Sequence, residues 1–235
     1  MLSINAFTKV FFESVAATLI FALIAIVSFA ALEPVISHAQ AATSQFTTKQ
    51  VITSEISFLT AASNIVMSPS IGGITGGAAT GTTQVVVYTN NTSGYTMTIA
   101  ASGTPSMRGE AAGGFITDYT PAVGTVPDFT FAPNTSGQAA EFGFSVSASN
   151  TPDLAQKFLD NGTTCNTGAA NTGSASCWTF ASTTATSTIV TTAQTSVSGS
   201  TSTIIMHTNV PSNPNPTLPK DTYTATTTLT ATTNP

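Results

Sequence analysis

The sequence predicts an all-β protein: an Ig-like or Greek-key β-sandwich over residues 42–235, with one short helix in an insertion at 149–181 and an N-terminal hydrophobic signal helix before it. Three observations predict it. Apolar or β-branched residues alternate with Thr and Ser, with a period of two, in many short runs. Asn, Gly, Ser and Pro separate those runs with turn chemistry. Near the N-terminus, an uncharged and mostly apolar stretch runs from Ser14 to Leu32.

The elements follow in chain order. Residues 1–41 read as a secretory signal: Lys9 supplies the positive region, Ser14–Leu32 the apolar region, and the polar stretch after Glu33 and Pro34 the cleavage region. Ala39 and Ala41 form an A-x-A pattern, which predicts cleavage after Ala41. The apolar run also has the length to cross a bilayer, so the alternative is an uncleaved anchor that touches the membrane only through residues 14–32.

The clearest strands are Thr82–Thr89 and Tyr95–Ala101, joined by NNTSG, a turn of residues that tolerate left-handed backbone. Tyr95, Met97 and Ile99 share one face of the second strand. Further strands are expected at Glu55–Leu59, Glu141–Ser147, Ser187–Ala193, Thr201–Thr208 and Thr222–Thr232. Shorter pairing segments are expected at Phe115–Thr117, Asp128–Phe131 and Trp178–Phe180. Thr suits these strands because its β-branch stiffens the side chain and its hydroxyl faces water without charge. The helix is expected from Thr151-Pro152-Asp153, an N-cap followed by proline and an acid, with Leu154 and Phe158 on one face and Asn161-Gly162 as its stop.

Composition excludes whole classes of function. Thr makes up about a fifth of the 235 residues, and only 6% are charged: 5 Lys+Arg against 10 Asp+Glu, a net charge of -5. Five cations do not build the basic face that nucleic acid requires, so no nucleic-acid partner is expected. Coiled coils need Glu, Lys and Arg in quantity, which are missing.

The two cysteines, Cys165 and Cys177, are expected to pair, because export places them in an oxidising compartment. Two Cys without a nearby His do not complete a tetrahedral zinc site. No catalytic residue, metal or cofactor is expected. His207 lies in a strand pattern with no acid close in sequence, and no G-x-S-x-G elbow is present. Asp118, Asp128, Glu141, Asp153 and Asp160 are scattered at loop ends, as turn and cap residues are. The four tyrosines Tyr88, Tyr95, Tyr119 and Tyr223 would form a platform for sugar rings if they shared one exposed face; otherwise they are core. Trp178, beside Cys177, is expected to pack on the disulfide.

The C-terminal stretch PSNPNPTLPKDTYTATTTLTATTNP and the upstream hairpin VVVYTNNTSGYTMTIAAS resemble secreted bacterial surface β-sandwiches, including the WxL cell-wall domain family. At the places of that family's two Trp-x-Leu motifs this chain has Phe144-Ser145-Val146 and Thr228-Leu229-Thr230. Both tryptophans are absent, and the sole Trp stands in Trp178-Thr179-Phe180. The resemblance implies an extracytoplasmic surface protein.

The expectation is therefore a non-enzymatic, secreted or cell-surface structural or adhesive protein. Its partners would be cell-wall or surface components, or copies of itself. The alternative is a binding module for neutral polysaccharide or cell-wall glycan, with the tyrosines as its platform.

Overall fold

A computed structural model describes residues 4–31, 43–133, 138–171, 176–183 and 186–235. Helix α1 spans Ile4–Ala31. Its segment Thr8–Phe29 has a mean hydropathy of 2.5 and is long and apolar enough to cross a membrane, a property that signal sequences share. At about 1.5 Å rise per residue, 22 residues reach about 33 Å, against a hydrocarbon core of about 30 Å. Ala39 and Ala41 lie outside the described residues.

The second compact unit is Ile52–Pro235, and it is a two-sheet β-sandwich. The strands are β1 (Ile56–Thr60), β2 (Gly77–Thr89), β3 (Tyr95–Ala101), β4 (Met107–Gly109), β5 (Phe115–Asp118), β6 (Glu141–Ala148), β7 (Ser187–Thr192), β8 (Ser196–Val210), β9 (Tyr223–Ala225) and β10 (Thr227–Thr233). The larger sheet has the order β1-β2-β8-β6-β5-β4-β9 and the smaller β10-β3-β7. All pairs are antiparallel except β5 with β6. Neighbours distant in sequence, such as β2 with β8 and β3 with β10, are of the Greek-key kind. This unit contains both sheets, the disulfide and every residue of the hydrophobic core, so it has what it needs to fold without α1.

The alternating pattern puts its apolar residues between the sheets. Tyr95, Met97 and Ile99 of β3 are buried and meet Val85 and Val87 of β2, Phe142, Phe144 and Val146 of β6, and Ile204 of β8. The NNTSG turn is built as its residues require. Gly94 has left-handed backbone, at φ +76, and a Cβ there would stand 2.0 Å from the Thr192 carbonyl oxygen. Asn91 donates to the carbonyls of Gly94 and Asn234, and Asn234 in turn donates to those of Ser93 and Thr192. The end of the chain is thereby fastened to the β3 turn and to β7.

Three expectations are corrected. The helix at 151–160 is two single 3-10 turns, Thr151–Asp153 and Gln156–Phe158, with Leu154 extended between them. Leu154 breaks the helix because it bridges to Val190 of β7. The last strand, Thr222–Thr232, is two strands on different sheets: β9 pairs with β4, and β10 with β3. Side-chain alternation runs unbroken through Thr226, so the pattern does not show the change of partner. β8 begins at Ser196 rather than Thr201, because the Ser/Gly-rich SVSGS start carries little apolar signal. Within segment 149–181, Leu154, Phe158, Leu159, Cys165 and Cys177 all join the main core.

The disulfide Cys165–Cys177 is formed, with Cα atoms 5.6 Å apart. It anchors a loop whose described residues are mostly small and polar, while both cysteines are buried. Replacing both by Ser should lower the unfolding free energy by about 3 kcal/mol through the freed loop entropy. Equilibrium urea unfolding of the two proteins under non-reducing conditions measures that difference.

Candidate functional site

The four tyrosines do not form a platform. Tyr95 and Tyr119 have no solvent exposure at all, which overturns the sugar-stacking arrangement for that pair. Tyr95 crosses the core towards Asp153 and Ser200, and burial, together with the Asp153 charge, raises its pKa. Tyr119 lies on the opposite face of the larger sheet, stacked on Phe131 at 4.3 Å, with its hydroxyl donating to Asp128 at 2.5 Å. Tyr88 is 39% exposed on β2. Tyr223 is half-buried and donates to the Pro219 carbonyl at 3.0 Å.

Trp178 is corrected as well. It does not join the cluster that holds the disulfide but packs with Tyr119, Ile205 and Phe131. Cys177 has left-handed backbone, at φ +64, and it and its neighbour Trp178 enter different clusters. His207 sits on the same outer face, 4.4 Å from the Phe131 ring and 5.2 Å from Trp178. Segments around 119–131 and 178–179 cover the outer face of β6 and β8. Gly143 permits this, since a Cβ there would come within 2.7 Å of the Thr179 carbonyl oxygen and 2.9 Å of Tyr119.

The carboxylates are internal acceptors. Asp118 accepts the Ser106 amide and hydroxyl. Asp153 accepts Asn150 and Ser200, each at 2.9 Å. Asp160 accepts the Gly162 amide at 2.8 Å within its own turn. Asp221 accepts the amides of Ala111, Ala112 and Thr222. Short polar side chains at turns take such bonds readily. Lys157 is half-buried, and its ammonium meets the Ser187 hydroxyl and the Phe158 ring, so burial lowers its pKa.

Two cavities stand out. The smaller, about 230 Å³, lies at the β7–β8 turn beside Asp153 and is lined almost wholly by Ser, Thr, Asn and Gln. The larger, about 1290 Å³, opens between the sheets, bounded by the connection 61–74 on one side and by 218–229 on the other. Its floor includes Phe142 and Met206; its walls include Ile65, Met67, Ile71 and Leu229. Periodicity did not reveal this cleft. Ile65, Met67 and Ile71 alternate in a segment rich in Ser, Gly and Pro that forms isolated bridges instead of a continuous strand, and they are only half-buried.

Compared with protein-family models, with curated proteins and with solved structures, the chain matches none.

The His207 environment has a consequence for stability. Burial holds its pKa below 6.5, so the folded protein binds fewer protons there than the unfolded chain. Its stabilising contribution is complete above pH 6.5 and is lost as pH falls towards the lower folded pKa, by at most about 1.4 kcal/mol per pH unit. His207→Phe, which keeps a ring against Phe131 and Trp178, should flatten the fall in stability between pH 7.5 and 5.5. Urea midpoints of both proteins at the two pH values decide it.

Proposed function

We propose that this chain is a non-enzymatic, exported structural or adhesive component of the cell surface, which joins copies of itself or neighbouring surface components by strand addition. One observation carries the reading: none of the four edge strands contains a charged residue. They are β1 (ISFLT) and β9 (YTA) on the larger sheet, and β10 (TTLTATT) and β7 (STIVTT) on the smaller, of which β7 is partly covered by Leu154 and Ala155. Soluble sandwiches commonly protect their edges with charge, proline or a covering element, because an open edge offers unpaired amides and carbonyls to another chain. Lys and Arg number five in the whole sequence, and none lies in these four strands. Strand addition is a common recognition mode in which the backbone supplies affinity and alternate side chains supply specificity.

Export is supported by the apolar α1 and by the disulfide, which persists in oxidising compartments. The carboxylates support a passive role, since Asp118, Asp153, Asp160 and Asp221 each accept turn amides or neighbouring hydroxyls. The dispersal of the tyrosines removes the platform on which a glycan-binding alternative depended.

The test is self-association of Ile52–Pro235 by sedimentation velocity over a concentration series. The wild-type unit should form concentration-dependent oligomers. Ser57→Lys on β1 and Thr230→Lys on β10, at exposed positions, should together weaken association at least about tenfold by setting like charges against each other. If the wild-type unit stays monomeric at every concentration and does not sediment with isolated cell envelopes, the reading fails.

A further inference from the structure

Protein interiors are close-packed, and voids larger than a water molecule are few. An opening of about 1290 Å³ between the sheets of one sandwich is therefore unusual. Its size exceeds the usual range of about 300–1,000 Å³ for small-molecule pockets. Its position explains its shape: the smaller sheet has three strands against seven, so β10 leaves part of the inner face of β2, β8 and β6 without a strand above it. The connections 61–74 and 218–229 line the opening and do not fill it.

The lining states what belongs inside. Ile65, Met67 and Ile71 of the connection 61–74, Phe142 of β6, Met206 of β8 and Leu229 of β10 present only hydrocarbon and thioether. Polar groups at the floor are already engaged. The Thr83 hydroxyl oxygen accepts the Ser63 amide at 2.8 Å, and the Thr208 hydroxyl donates to the sulfurs of Met67 and Met107 at 3.5 and 3.8 Å. Asn64, Ser70, Thr226, Thr227 and Thr228 also line the opening, but against the hydrocarbon of the floor and walls an apolar chain loses nothing by entering.

The mouth adds a charge. Lys220 and Asp221 are the charged residues that line the opening. Asp221 is turned to the amides of Ala111, Ala112 and Thr222. Lys220 is exposed, and no ion pair engages it among the described residues. The available charge at the rim is thus positive, and it complements an anionic head on an apolar tail.

We propose that this cleft binds a long-chain fatty acid, its hydrocarbon chain between the sheets and its carboxylate at Lys220. The proposal goes beyond strand addition and does not rest on it, because the ligand lies between the sheets and not along an edge.

The experiment uses purified Ile52–Pro235 and the fluorescent fatty acid cis-parinaric acid. Competitors are palmitic acid, hexadecanol of the same chain length, and vesicles of phosphatidylglycerol. The expected result is saturable binding at one site, displaced by palmitic acid and more weakly by hexadecanol. Lys220→Gln should weaken palmitic acid by about two- to fivefold, as an exposed ion pair allows, and leave hexadecanol unchanged. Leu229→Phe and Ala79→Phe, which narrow the cleft from a half-buried wall and from a buried position, should each abolish displacement. Far-ultraviolet circular dichroism shows that the variants are folded, and the half-buried Leu229 site serves if the Ala79 variant is not. Four outcomes overturn the proposal: no saturable uptake; equal binding of acid and alcohol with no effect of Lys220→Gln; uptake from vesicles alone; or loss of the probe as protein concentration rises, which would assign the cleft to a second copy.

Discussion

The sandwich depends on β8. This strand pairs with β2 from Gly77↔Val210 to Thr89↔Ser196 and with β6 from Glu141↔Asn209 to Ala148↔Ser202, so it is held on both sides along most of its length. It also packs on both faces. Ile204 and Met206 point into the main core, and Ile205 and His207 point outwards to Phe131 and Trp178. A strand buried on both faces reads as a continuous apolar run, and β8 carries a short one in IIM, Ile204–Met206. Elements remote from β8, such as β9 and β10, pair with the rest of the sheet system through β4 and β3.

A fold with so few charges needs another means of satisfying its polar groups. Here short side chains supply it. Asn91 and Asn234 tie three chain segments together through carbonyl oxygens. Asp118, Asp153, Asp160 and Asp221 each take amides or hydroxyls near a turn. Such bonds are local and directional, and they leave long strand surfaces free to be neutral Thr and Ser. The same economy leaves the edges without the lysines that commonly prevent unwanted pairing.

Strands with a half-buried alternating face were legible in the sequence. Tyr95–Ala101 matches β3 at both ends, and Glu141–Ser147 and Ser187–Ala193 match β6 and β7 within one residue. The pairing of Cys165 with Cys177 was legible too, since only two cysteines exist. Partnership was not legible. The alternation from Tyr223 to Thr233 is the same whether one sheet or two receives it. β4 is three residues long and has no period to detect. The aromatic residues were visible as residue types, but whether Tyr119 faces water or Phe131 depends on contacts set by distant loops. The cleft was invisible for a similar reason: its walls come from connections, where sequence shows turn chemistry and not the direction of each side chain.

Unequal sheets and unguarded edges are connected features. A seven-stranded sheet facing a three-stranded one has more inner face than its partner covers. Part of the surplus is closed by the connection 61–74, whose apolar residues remain half-buried. A fourth full strand beside β10 would close the space and hide that edge together. The chain instead leaves both open, and hydrocarbon that is only half covered still gains free energy when it leaves water. The unpaired backbone of β10 and the half-buried walls beside it therefore favour association through different groups: one through hydrogen bonds, the other through apolar contact. In the proposed reading, that separation would let an edge recruit a strand while the cleft holds the proposed ligand.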